Sequence, residues 1–157
     1  MSNRYELDDN GQTVLMADQN TNLTGDSIGN ILIGNIGDNL ISGMEGNDTL
    51  AGGDSLVFGV DTYDGGDDYL NGGLGADSLF GGGGKDTLVG GGGGNDTLTG
   101  GADADWFIIG DEMGNAYSGG TFALITDFTV GTDKLLLNCA IGNYTLGSET
   151  KIGRAHV

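Results

Sequence analysis

The chain has 157 residues, of which 34 are glycine and none is proline, and its formal net charge is −18 at pH 7. Nineteen of the 23 acidic residues are Asp, which favours turns and binds hard cations, rather than Glu, which favours helices. Such acidity argues against nucleic acids and anionic membrane surfaces as partners, because binding to either needs basic patches.

Residues 1–24 form an N-terminal flank without a sustained hydrophobic period, in which Thr13-Val-Leu-Met16 has the composition of an edge strand. The flank lacks the apolar core of a secretory signal peptide. No stretch of the chain approaches the roughly 18 apolar residues of a membrane span. We therefore expect a protein that either stays inside the cell or leaves by a route independent of an amino-terminal signal.

A nine-residue repeat fills residues 25–108. Its clearest copy is Gly81-Gly-Gly-Gly-Lys-Asp-Thr-Leu-Val89, which reads Gly-Gly-x-Gly-x-Asp-x-Leu-x. The sixth position holds Asp48, Asp68, Asp77, Asp86, Asp96 and Asp105, and in the two earliest repeats Asn30 and Asn39. A flexible glycine-rich linker would have no reason to place an apolar residue two positions after each of these residues, so the pattern indicates a folded repeat.

The repeat is interrupted at residues 52–62, because Asp68 follows Asp48 by 20 residues, two more than a pair of repeats. This insert is either an extra half-turn or an excursion that covers one sheet face. The phrase Asp54-Ser-Leu56 keeps the Asp-x-Leu pattern and favours the half-turn. A second irregularity, the extra glycine within Gly90–Gly94, is easily absorbed in a turn.

Each repeat combines a six-residue turn with a three-residue strand that points one apolar side chain inward, so two repeats, about 18 residues, make one coil. Coils stacked about 4.8 Å apart place Asp68 near Asp86, Asp77 near Asp96, and Asp86 near Asp105. The predicted inward residues are Leu32, Ile41, Leu50, Leu70, Leu79, Leu88, Leu98 and Phe107. One buried side chain per nine residues is too little to order the chain, so we expect cation binding to be coupled to folding.

The stacked carboxylates repel one another by about 1 kcal/mol per pair even in water, and a cation would remove this repulsion. Hard oxygen ligands in a flexible turn suit Ca²⁺ better than Mg²⁺, which demands stricter geometry. Zinc and copper are disfavoured by the lack of His and Cys. The neutral residues Asn30 and Asn39 predict weaker or absent sites in the first repeats.

From Trp106 the composition changes, with strands predicted at Trp106-Phe-Ile-Ile109, within Phe122–Phe128 and at Lys134-Leu-Leu-Leu137. Residues 109–150 read as a C-terminal β cap. We expect Trp106, Phe107 and Phe128 in the core of this cap. Residues 152–157 back-translate to ATC GGA AGA GCA CAC GTC, which resembles the start of a common sequencing adapter. We interpret 151–157 as adapter read-through, with Lys151 as its uncertain edge.

The repeats at 25–108 resemble the RTX (hemolysin-type) calcium-binding nonapeptides, and 109–150 is similar to the segment that follows them in that family. The resemblance implies an all-β fold, a right-handed parallel β-roll, with several Ca²⁺ ions held between coils by the sixth-position residues and turn carbonyls. Asn30 and Asn39 depart from the Asp of the motif, and Asp103 replaces the fourth-position glycine of the last repeat. The family further implies a bacterial protein exported in one step by an uncleaved carboxy-terminal signal, as in type I secretion, and folded outside the cell.

The leading hypothesis is a secreted, non-catalytic calcium-binding module with no assigned protein partner. The chain itself is not expected to be an enzyme, because its one histidine, His156, lies in the interpreted read-through. The alternatives are the non-catalytic C-terminal part of a secreted enzyme, such as a serralysin-like metalloprotease, lipase or epimerase, or a fragment of an RTX adhesin. All share the same module.

Overall fold

A computed structural model describes residues 4–7, 13–16, 22–35, 37–53, 65–110, 117, 121–137, 144–146 and 151–154. All regular structure in these ranges is β-strand. The described residues contain no helix that is long and apolar enough to cross a lipid bilayer.

Two sheets run along the described part of the molecule. The larger has nine strands, in the spatial order β1 (Arg4–Leu7), β2 (Thr13–Met16), β4 (Ile31–Ile33), β6 (Thr49–Ala51), β8 (Ser78–Gly82), β11 (Asp96–Gly101), β13 (Phe122–Ile125), β16 (Lys151–Arg154) and β15 (Tyr144–Leu146). The smaller has seven strands, β14 (Lys134–Leu137), β12 (Trp106–Ile109), β9 (Thr87–Val89), β7 (Tyr69–Gly75), β5 (Leu40–Glu45) and β3 (Leu23–Thr24), with β10 (Gly92–Gly93) paired to β7.

Successive repeats alternate between the two sheets, so each strand pairs in parallel with the strand two repeats later. In the larger sheet Leu32 aligns with Leu50, and in the smaller sheet Leu70 aligns with Leu88. The expected all-β fold, a parallel roll with two repeats per coil, is confirmed. Its right-handedness stays a prediction from the family resemblance.

The core is two columns of eighth-position side chains that face each other between the sheets. All eight predicted inward residues are fully buried, at 0 % exposure. Both columns extend further than predicted: Leu23 adds to one end, and Ala123 and Ile125 to the other. Parallel pairing likewise reaches β2 on one side and β14 on the other, outside the predicted repeat region of 25–108.

The interpretation of the insert as an extra half-turn is wrong. β5 pairs directly with β7, and β6 pairs directly with β8, so no rung remains between them for an additional strand. Gly52 and Gly53 donate to Phe80 and Gly81 of the next coil, and Gly65 lies against Gly83. Gly53 and Gly65 therefore occupy neighbouring positions of a single turn. The 20-residue spacing is one repeat plus eleven residues, 54–64, which lie outside the described residues.

The region predicted as a cap continues the two sheets. β13 pairs in parallel with β11, and β14 with β12, whereas β16 closes the larger sheet in antiparallel fashion. β16 falls in the stretch interpreted as adapter read-through, and that interpretation stays a prediction. The domain boundaries also stay predictions.

Three aromatic residues were predicted to lie in the core of the cap. The prediction is wrong for Trp106. Phe107 is buried and lies 5.9 Å from the ring of Phe128, centroid to centroid. Trp106 is 41 % exposed, with the Lys134 ammonium 4.6 Å from the centroid of its ring. Trp106 stands at the seventh position, and neighbouring side chains of a strand point to opposite faces.

Candidate calcium sites along two carboxylate ladders

The sixth-position residues form two columns, one beside each sheet. We call Asn30, Asp48, Asp77 and Asp96 the first ladder, and Asn39, Asp68, Asp86, Asp105 and Asp133 the second ladder. Within each ladder the backbone N–H of one residue donates to a side-chain carboxylate of the next coil.

The three stacked pairs expected from the sequence are present. The N–H of Asp68 donates to Oδ1 of Asp86 at 2.9 Å, and that of Asp86 to Oδ1 of Asp105 at 2.9 Å. The N–H of Asp77 donates to Oδ1 of Asp96 at 3.0 Å. Each such bond joins two coils, so the carboxylates contribute to the stacking itself.

The eight sixth-position residues predicted as ligands are all buried, with at most 4 % of their surface exposed. Oδ1 of Asp48, Asp77 and Asp86 accepts the inter-coil hydrogen bond, but Oδ2 of each is buried and has no hydrogen-bond partner among the described residues. A buried charged oxygen without a partner costs several kcal/mol unless something neutralises it. A cation bound beside each of these three oxygens would neutralise it.

A backbone carbonyl of the next coil faces the same space as each of these oxygens. A Cβ built on Gly43 would overlap Oδ2 of Asp48 and lie 2.5 Å from the carbonyl oxygen of Gly72. The same holds at Gly81, whose Cβ would meet Oδ2 of Asp86 and the carbonyl oxygen of Gly100. First-position glycine therefore leaves room for a carboxylate oxygen and a carbonyl oxygen from two different coils.

The glycines at the second and fourth positions have a different role. Both positions adopt positive φ in the turns of Asp48, Asp77 and Asp86, for example 100° at Gly73 and 143° at Gly75. Two non-glycine residues adopt the same region: Met44 at the second position, with φ of 82°, and Asp103 at the fourth, with φ of 74°. Asp103 thus keeps the turn conformation of the glycine it replaces, and Asp tolerates this region better than most residues.

Burial raises the pKa of these carboxyls. It raises the pKa of Asp86 to about 8 and that of Asp77 to about 7, with further contributions from neighbouring Asp carboxylates, while the backbone hydrogen bonds lower both. The pKa of Asp105 and of Asp96 is raised to about 6, again chiefly by burial, and that of Asp48 is raised as well. In the absence of a cation, the fold favours the protonated forms.

The donor set fits a hard cation. The oxygens beside each first-position glycine belong to a carboxylate and a backbone carbonyl. Ca²⁺ prefers such oxygen ligands and binds six to eight of them. Among the described residues no three His, Cys, Asp or Glu side chains converge on one point. A bound ion would therefore be held by Oδ2 of Asp48, Asp77 or Asp86 together with turn carbonyls, rather than by a cluster of side chains. A Ca²⁺ ion there would supply the positive charge that joins the coils.

The remaining predicted ligands differ in their surroundings. The side-chain amides of Asn30 and Asn39 make hydrogen bonds within their own turns. Oδ2 of Asp96 accepts a hydrogen bond from the hydroxyl of Tyr117. Asp68 and Asp105 take part in the second ladder through Oδ1. The assignment of all eight residues as metal ligands stays a prediction.

Three side chains that hydrogen-bond to the turns of the ladders were not predicted from the sequence. Asp133 extends the second ladder by accepting the N–H of Asp105 at 3.1 Å. The phrase Asp133-Lys-Leu135 repeats the Asp-x-Leu pattern and was a usable signal. Asp127, which accepts the N–H groups of Gly100 and Gly101, and Tyr117 have no such signal, because they lie outside the nine-residue register.

Comparison with known families identifies these turns. The model of the RTX calcium-binding nonapeptide repeat matches four copies, over residues 24–55, 62–94 and 91–111, together a little over half of the chain. Neither the curated proteins nor the solved structures gave a match. RTX nonapeptide repeats bind Ca²⁺, in agreement with the oxygen donors of the two ladders. The chain belongs to the RTX calcium-binding nonapeptide repeat family.

Proposed function

We propose that this chain is a secreted, non-catalytic calcium-binding module that remains unfolded at low calcium and folds into the two-sheet roll when Ca²⁺ binds outside the cell. Its ligands are the carboxylates of the central turns, Asp48, Asp68, Asp77 and Asp86, with carbonyl oxygens of the neighbouring coil. Its role is to convert the presence of calcium into a stiff, ordered segment.

The observation that carries this proposal is the buried, unpartnered Oδ2 of Asp48, Asp77 and Asp86. The large majority of buried polar atoms in folded proteins have a partner that satisfies them. The chain has five Lys and Arg residues against 23 acids, so its own basic residues cannot neutralise the ladders. An external cation can, and its binding free energy then contributes directly to folding.

Export without prior folding fits the same energetics. A chain of net charge −18 with 34 glycines has little tendency to collapse when calcium is scarce. Extracellular calcium modules bind in the range of about 10⁻⁴–10⁻³ M, well above the range of intracellular sensors. Sites of that affinity would be empty before export and filled after it. The module serves equally well as the end of a secreted enzyme or as part of an adhesin.

The direct test is circular dichroism of residues 1–150 at about pH 8, where the buried carboxyls no longer favour the calcium-free fold, first in chelator and then in millimolar Ca²⁺. We expect a disordered spectrum that becomes β-rich with Ca²⁺, while the same concentration of Mg²⁺ has little effect. Equilibrium dialysis against calcium measures the number of bound ions on the same sample. A spectrum that is already β-rich in chelator, or a sample that binds no calcium, contradicts the proposal.

A further inference from the structure

The turns at the ends of the ladders are built differently from those in the middle. In the turns of Asp48, Asp77 and Asp86 a buried carboxylate oxygen faces a carbonyl of the next coil without a hydrogen-bond donor. In the turns of Asn30, Asn39 and Asp96 a side-chain donor is present. We propose that these three turns hold no calcium, because the amides of Asn30 and Asn39 and the hydroxyl of Tyr117 take the place of the ion. The proposal rests on calcium binding by the central turns.

The two Asn turns are closed by their own amides. Oδ1 of Asn30 accepts the N–H of Asp26 at 2.7 Å, and Nδ2 donates to Oδ1 of Asp26 at 3.2 Å. Oδ1 of Asn39 accepts the N–H of Asn35 at 2.9 Å, and its Nδ2 donates to the carbonyl of Gly37. An amide brings both an acceptor and a donor, so each turn is satisfied without an external charge.

The amide oxygen of Asn30 lies at the same place in its turn as Oδ2 of Asp48 in the next coil. A Cβ built on Gly25 would overlap Oδ1 of Asn30, just as one built on Gly43 would overlap Oδ2 of Asp48. The two oxygens occupy equivalent places in their coils. The amide oxygen there receives a backbone N–H, whereas the carboxylate oxygen receives none.

The backbone of the Asn turns is also different. In the turns of Asp48 and Asp86 the second-position residue is left-handed, with φ of 82° at Met44 and 116° at Gly82. The corresponding residues of the Asn turns, Asp26 and Asn35, do not adopt positive φ. Their N–H groups are thereby directed to the Asn side chain of the same turn. In a turn of this shape the second-position N–H and the Asn amide oxygen bond to each other.

At the other end of the first ladder, Tyr117 supplies the donor. Its hydroxyl is fully buried and donates to Oδ2 of Asp96. A Cβ built on Gly90 would meet this hydroxyl and Oδ2 of Asp96, whereas one built on Gly72 meets Oδ2 of Asp77 and the Gly90 carbonyl. The phenol therefore occupies the place that a next-coil carbonyl has in the preceding turn.

The register explains why a substitute is needed there. Asp96 aligns with Ala123 of β13, so the next coil offers no carboxylate to continue the first ladder. An ion between two coils is coordinated by oxygens of both coils. An ion at the end of a ladder would be coordinated by the oxygens of one coil only. A neutral donor satisfies the terminal oxygen with no need for a complete coordination shell.

The test counts bound ions by equilibrium dialysis of the full chain at saturating Ca²⁺, using two isosteric variants of the same ladder. Asp77→Asn removes a proposed ligand, and we expect it to bind at least one ion fewer than the wild type. Asp96→Asn keeps both contacts, because its amide oxygen accepts the Asp77 N–H and its Nδ2 donates to the hydroxyl oxygen of Tyr117, and we expect an unchanged count. Loss of an ion in Asp96→Asn overturns the proposal.

The Asn turns are tested in the same assay. Asn30→Ala and Asn39→Ala should leave the number of ions unchanged while lowering the thermal midpoint in saturating Ca²⁺, because hydrogen bonds rather than an ion are lost. One ion fewer in either variant overturns the proposal. Asn30 lies near the end of the roll, so its variant remains informative if Asn39→Ala does not fold. If the wild type binds no calcium, the proposed function fails instead, which separates the two failures.

Discussion

The N–H of Asp68 donates a 2.9 Å hydrogen bond to Oδ1 of Asp86, a residue 18 positions later in the chain and one coil further along the roll. The same carboxylate leaves Oδ2 buried and without a hydrogen-bond partner. One oxygen of Asp86 thus joins two coils directly, while the other is free for a cation. A single Asp side chain can therefore both hydrogen-bond to the neighbouring coil and make folding depend on calcium.

Replacing Asp86 should separate these two contributions. Asp86→Asn keeps an acceptor for the Asp68 N–H but removes the charge, so we expect weaker calcium-induced folding with the roll still formed at high Ca²⁺. Asp86→Ala also leaves the buried N–H of Asp68 unsatisfied, which should cost a further ~1–3 kcal/mol. Urea denaturation at saturating Ca²⁺ measures the difference. Equal stability of the two variants would mean that the inter-coil bond contributes nothing.

In the absence of calcium, acid should stabilise the fold. Burial raises the folded-state pKa of Asp86 to about 8 and of Asp77 to about 7, above the ordinary value of 3.8. The folded state therefore binds these protons more tightly than the unfolded state, and the stability they contribute is lost as pH rises through 7 and 8. We expect the β content of calcium-free protein to fall between about pH 5 and pH 8, as measured by circular dichroism.

Calcium should reverse this dependence, because the ion competes with protons for the same carboxylates. The calcium concentration needed for half-maximal folding should fall as pH rises over the same interval. Calcium-free protein that gains structure with rising pH would contradict the assignment of the buried carboxyls.

Gly81 and Gly92 provide a matched test of the close approach between coils. A Cβ at Gly81 would overlap Oδ2 of Asp86 and lie 2.5 Å from the Gly100 carbonyl oxygen, whereas a Cβ at Gly92 has nothing within 4 Å. Neither glycine has a positive φ, so steric contact is the difference between them. We expect Gly81→Ala to destabilise the calcium-bound roll by ~1–3 kcal/mol or more. Gly92→Ala should unfold at nearly the wild-type denaturant concentration.

The eleven residues 54–64, to which the strand pairing shifts the insert predicted at 52–62, should be dispensable for the roll. Removing residues 54–64 joins Gly53 to Gly65 and leaves Gly-Gly-Gly-Gly-Asp-Asp, which matches the turn pattern up to Asp68. We expect this deletion to retain the calcium-induced β spectrum and the wild-type number of bound ions. A deletion of the same length at 72–82, which removes a strand and breaks the nine-residue register, is the control and should fail to fold. Loss of folding on deletion of 54–64 would show that the insert contributes to the core.

The repeat by itself determined the sheet alternation, the inward residues and the stacked Asp pairs. A period of nine with one apolar residue and one Asp in fixed positions leaves few ways to bury Leu70 and Leu88 while keeping Asp68 above Asp86. Along the repeats the sequence spacing matches the strand register. The spacing alone was therefore sufficient to predict the buried residues and the stacked Asp pairs. The extra glycine within Gly90–Gly94 was also correctly absorbed, since Leu98 still aligns with Leu79.

Only the tertiary structure decided which polar atoms have partners. The spacing of 20 residues between Asp48 and Asp68 leaves an extra half-turn open, and only strand pairing shows that no rung remains for it. Tyr117 and Asp127 reach the turns from outside the nine-residue register, so no periodicity reveals them. Whether a sixth-position oxygen meets an N–H, a phenol or nothing depends on the next coil, and that contact is set by three-dimensional stacking rather than by neighbours in the chain.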